Sequence, residues 1–167
     1  MKNYLLTMSI LTLLTGCFHD EETTLPNPNV PTPSNLINGE VPPMRPTRAL
    51  EQSIAVQVID GGRELLTERT VREVGTRAPI HIHPYGGQTC IAEGEMTLYM
   101  DGSEPTRAVA GTCYFMPSTH RMTGVNTGSI NAVMFDSFVI PVGEEVWQIV
   151  EPGQEDAVDL LQEIHKK

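Results

Sequence analysis

Residues 75–94 read GTRAPIHIHPYGGQTCIAEG, and His81-Ile82-His83 lies at the centre of the stretch. On an extended strand, residues two apart project from the same face. The tripeptide therefore sets two imidazoles side by side, which is how many metal sites begin. Glycine and proline on both sides mark turns, so the histidines belong to a short strand rather than to a helix.

The neighbouring segments repeat this grammar. Residues 53–59 (SIAVQVI) alternate, and Asp60-Gly61-Gly62 makes a turn. Extended segments follow at 65–74, 78–83, 89–92 and 95–100, then a turn at Asp101-Gly102, then further segments at 107–110, 112–116 and 131–140. Many short strands separated by turn residues predict an all-β sandwich or closed barrel. Only residues 155–165 (EDAVDLLQEIH) carry helical spacing, with Val158, Leu161 and Ile164 on one face. A short C-terminal helix covering a barrel edge or end is expected there.

The spacing adds a family resemblance. Gly75, five residues, His81-x-His83 and Gly94 resemble the first signature of the cupin family. Gly111, Pro117 and Asn126 fall in the register of its second signature without a gap. The resemblance covers residues 50 to 142. It implies a single jelly-roll β-barrel whose mouth holds a divalent metal on three histidines and a glutamate.

The ligand positions depart from that pattern. The glutamate position falls at Gly87, with Gln88 beside it, and the third histidine falls at Met122. The second signature's last glycine is Thr119, and His120 lies two residues before Met122. The candidate metal set is therefore His81, His83, Gln88, Met122 and His120. Neutral amide, imidazole and thioether donors do not offset the charge of a hard dication, so zinc, nickel or copper is expected over iron or manganese. As a ligand Met122 would favour Cu(I); as a core filler it would do what methionine commonly does. Arg77 and Arg121 flank the signatures and could hold an anion at the mouth.

Cys90 and Cys113 sit on segments that the barrel would make neighbours. They would bridge in an oxidising compartment or stay as buried thiols. Asp136 and Ser137 interrupt the apolar segment AVMFDSFVI, where a buried acid needs a partner. Tyr85, Tyr99 and Trp147 read as packing residues.

The chain begins with a segment of different character. Lys2 precedes an apolar run at 4–14 that is too short to span a bilayer as a helix. It ends at Leu14-Thr15-Gly16-Cys17. This matches secretory-signal anatomy and resembles the bacterial lipobox, which implies lipidation of Cys17 after removal of residues 1–16. Residues 17–48 then hold seven prolines and no apolar period, and read as a flexible tether. Residues 49–167 form the barrel domain and its helix.

The chain carries 11 Lys+Arg against 21 Asp+Glu. Removing residues 1–16 takes away one lysine and no acid, so the mature charge is 10 minus 21, or −11. Such a chain repels nucleic acid and anionic lipid surfaces. The expected partners are a small molecule or metal ion, the membrane through the lipid anchor, and a second copy in a homodimer. The location expected is the bacterial cell envelope, at the outer membrane facing the periplasm or cell surface. Two functions are expected: a small-molecule or metal-binding module, or, as the cupin resemblance implies, a metal-dependent dioxygenase, isomerase or lyase with a degenerate metal site.

Overall fold

The computed structural model describes residues 31–154. Among them lie β1 (Arg45–Pro46), β2 (Leu50–Asp60), β3 (Arg63–Arg72), β4 (Thr76–Arg77), β5 (His81–Ile82) and β6 (Gly87–Glu93). Then come β7 (Glu95–Met100), β8 (Thr106–Val109), β9 (Cys113–Met116), β10 (Met122–Val125), β11 (Ala132–Pro141) and β12 (Gln148–Ile149). One sheet runs β2-β3-β11-β6-β9. In the other, β10 pairs with β7 and also with β4 and β5; β8, β1 and β12 extend it outward.

Local chemistry explains the longest hairpin. Asp60 pairs with Arg63 across a loop of two glycines. Gly61 and Gly62 both take positive φ, +48° and +79°. A two-residue hairpin loop of that kind matches the twist of its strands. Strand β3 then alternates, with Leu66, Glu68, Thr70 and Arg72 on the buried face. The two sheets share one core, in which Leu66, Ile91 and Phe138 meet Met96, Leu98 and Met122.

Three expectations need correction. The strand at the histidines is only His81–Ile82, not 78–83, because Pro79 offers no N–H to a ladder. Strand β10 was not foreseen: all four of its residues are buried, so its sequence shows no alternation.

The third concerns the tether, which from Ser34 onward is part of the fold. Ile37 is buried in a small cluster with Ile80, Ile82 and Val150. The Asn38 amide donates to the Met100 and Ser103 carbonyls, while the Gly102 N–H donates to its Oδ1 at 2.7 Å. Strand β1 pairs in parallel with β4. Proline does not prevent this, because an edge segment can pair through its carbonyls and its non-proline amides. The signal segment, Cys17, the first part of the tether and the expected C-terminal helix lie outside the described residues.

Candidate functional site

The two sheets enclose a cavity of about 60 Å³. This is room for a few water-sized groups. His81 and His83 line it, and both are buried. The Nδ1 of His81 lies 2.7 Å from the Pro79 carbonyl oxygen, and the Nδ1 of His83 lies 2.7 Å from that of Val146. A carbonyl only accepts, so each Nδ1 carries the proton and each Nε2 presents its lone pair. The two Nε2 atoms face each other at 3.2 Å. Trp147 meets the His81 ring edge-on at 4.8 Å, and Phe138 lies 5.0 Å from the His83 ring.

Two lone pairs aimed at one another repel unless a cation lies between them. Protonation is disfavoured. Burial, followed by the neighbouring His83, lowers the His81 pKa to about 3. Burial also lowers His83 to about 4, against its hydrogen bond to Val146. Both imidazoles are therefore neutral near pH 7. The separation of the two nitrogens matches that of two ligands on one metal ion. Two imidazole nitrogens on one tetrahedral ion at about 2.0–2.1 Å stand about 3.3 Å apart. Backbone acceptors on the far nitrogens are the usual outer support of such ligands. The full set of three histidines and a glutamate does not fit, and among the described residues no three His, Cys, Asp or Glu side chains converge.

The other residues expected at the site divide. Met122 is wholly buried, lies directly opposite His81 across β10 and β5, and lines the cavity. Gln88 does not join them. It follows Gly87 on β6 with its side chain outward, and its amide reaches the Cys90 sulfur at 3.3 Å. His120 does not join them either, being exposed and bonded through Nδ1 to the Ser118 carbonyl. Its loop is not yet strand, so the alternation that would have turned it inward does not operate. At the glutamate position, the Phe138 ring occupies the space beside Gly87: a Cβ there would lie 2.5 Å from it. Phe115 and Phe135 point outward and do not close the cavity.

Cys90 and Cys113 form a disulfide between directly opposed residues of β6 and β9. Arg77 is a structural residue. It makes a two-pronged buried ion pair with Glu151, at 2.6 and 2.7 Å. Burial pulls the Glu151 carboxyl upward, but Arg77 and the Ile80 N–H hold it below its ordinary value. Arg121 binds Asp101. Tyr85 is exposed. Ser137 lies beside outward-facing Gln88 in the ladder, while Asp136 turns inward, so the two do not share a site.

Asp136 belongs to a polar row that sequence reasoning missed. Glu68, Asp136, Thr89 and Tyr114 stand side by side on β3, β11, β6 and β9, all lining the cavity. Thr89 and Thr70 donate to the two Asp136 oxygens at 2.5 and 2.6 Å. Burial raises the Asp136 carboxyl, against these two hydrogen bonds. The only signal in the sequence was the acid itself within an apolar strand.

No family model and no curated protein matches the chain. Solved structures do. A protein with a double-stranded β-helix domain from Klebsiella pneumoniae is 16% identical, over 62% of this chain and 80% of that one, at a TM-score of 0.49. A cupin family protein with a double-stranded β-helix fold from Methanocaldococcus jannaschii is 21% identical over 54% of this chain and 81% of that one, at 0.44. A DMSP lyase, DddQ, from Ruegeria pomeroyi is 21% identical at 0.50; the match covers 64% of this chain and about half, 53%, of that one. These likenesses concern the fold. The sheet order by itself defines an all-β barrel of two facing sheets.

Proposed function

We propose that this chain is a metal-binding module of the bacterial cell envelope, anchored through a lipidated Cys17, in which His81 and His83 take a late transition-metal ion. The observation that carries the reading is the facing pair of Nε2 lone pairs, 3.2 Å apart, each ring fixed by a backbone carbonyl. Neutral donors, with no cluster of three His, Cys, Asp or Glu among the described residues, favour copper, nickel or zinc over iron or manganese. Titration of the metal-stripped protein with Zn²⁺ and Ni²⁺ tests it. Binding should raise the melting temperature, because the ion binds only the folded state. His81→Ala and His83→Ala should each abolish that rise. Binding that survives both changes would remove the site. For the anchor, Cys17→Ser should release the protein from the membrane fraction; retention there would refute lipidation.

A metal-dependent enzyme is the second reading. It is favoured by the hydroxyls and carboxylates of Thr89, Tyr114, Asp136 and Glu68 lining the same cavity as the histidines. A bound ion with an open position beside such groups could polarise a small substrate.

A further inference from the structure

We infer that the ion selected here is Cu(I), with the Met122 thioether as third ligand beside His81 and His83. This rests on the metal-binding reading above and narrows it to one ion. Met122 and His81 are directly opposed across β10 and β5, so their side chains leave the same face of the sheet. Met122 has no exposure, and it lines the cavity together with both imidazoles.

Thioethers are a theme of this cavity. Met96, Met116 and Met134 also line it, and the Met116 sulfur stands 3.5 Å from the Thr89 hydroxyl. Soft thioether donors select Cu(I), whereas Cu(II) prefers tetragonal nitrogen and oxygen sets.

The experiment is a competition for Cu(I) against bicinchoninate, anaerobically in ascorbate, with parallel Zn²⁺ titrations. It uses wild type, Met122→Leu, Met122→His and His81→Ala. Met122→Leu conserves volume, and its melting curve without metal checks that it folds. Wild type should take one Cu(I). Met122→Leu should lose about tenfold or more in Cu(I) affinity, since even an outer-shell change commonly costs that much, with Zn²⁺ affinity little changed. Met122→His should gain affinity for Zn²⁺ and lose its preference for Cu(I). Unchanged Cu(I) affinity in folded Met122→Leu would overturn the Cu(I) inference while leaving the histidine site standing. If wild type binds neither Cu(I) nor Zn²⁺, or if both survive His81→Ala, the histidine site itself falls and the inference with it.

Discussion

The ring of Phe138 lies against the backbone of Gly87, 2.5 Å from where a β-carbon would stand. The same ring packs on His83. Glycine is thus required at the position where the family resemblance asks for a glutamate. Gly87→Ala should destabilise by about 1–3 kcal/mol, the usual cost of overpacking. Phe138→Ala should relieve the clash, so in a double-mutant cycle by chemical denaturation the cost of Gly87→Ala should shrink when Phe138 is already alanine. Simple additivity would show that the ring does not set the constraint.

The buried imidazoles predict a pH dependence for the metal-free protein. In the unfolded chain a histidine takes up its proton near pH 6.5. In the folded protein His81 and His83 do so only near pH 3 and pH 4. Between these limits the unfolded state binds more protons, so stability falls as pH drops. The contribution is fully present above about pH 6.5 and lost progressively down to about pH 4 and then pH 3. Denaturant midpoints measured in chelator across this range should fall steeply in wild type and less so in a folded double variant, His81→Gln with His83→Gln. Equal slopes would rule out the histidines as the cause.

Much of this architecture was legible because short strands leave a strong period and the histidine spacing is rigid. Residues 95–100 match β7 in full, and Asp60-Gly61-Gly62 forms the hairpin turn that its composition asks for. Strand β10 was not legible, since burial on both faces erases alternation. The convergence of Glu68, Asp136, Thr89 and Tyr114 was not legible either. It depends on strand register between segments up to 68 residues apart in number, as Asp136 and Glu68 are. Gln88 lies one residue past the glutamate position, and one residue's slip on a strand reverses a side chain's face; His120 lies in the loop before β10, where no alternation fixes its direction.

Thr119 offers a test of stored strain. It holds the glycine position of the second signature, yet its φ is +64°. A β-branched residue resists that left-handed conformation. Its N–H donates to the His83 carbonyl at 3.1 Å, so the strained turn is tied to the histidine segment. Thr119→Gly keeps that amide and removes the strain. It should stabilise the folded protein by about 1 kcal/mol, the order of the left-handed penalty, reduced by the extra freedom glycine brings to the unfolded chain. A variant less stable than wild type in thermal melts would mean that the threonine side chain contributes more than its backbone costs. Thr119→Ala, which keeps the strain without the hydroxyl, separates the two effects.

The proline-rich segment makes the last prediction, because here composition and structure point in opposite directions. Composition reads residues 17–48 as a spacer whose removal costs nothing. In the structure Ile37 is only 4% exposed and packs with Ile80, Ile82 and Val150. The Met44 carbonyl accepts from Arg77 Nε at 3.2 Å. The Thr47 carbonyl accepts from Arg72 at 2.6 Å. Cutting the chain before Ala49 would strip acceptors from two buried guanidinium groups and uncover the Ile80 and Ile82 side chains. Each effect is large: a buried donor left unsatisfied costs about 1–3 kcal/mol, and truncating a buried isoleucine to alanine costs about 2–5 kcal/mol. A protein beginning at Ala49 should therefore melt far below one beginning at Pro31, whereas proteins beginning at Phe18 and at Pro31 should melt close together. Ile37→Ala in the longer protein should reproduce part of the loss without touching the arginines. Equal melting temperatures for the Pro31 and Ala49 forms would return the whole segment to the role of a tether.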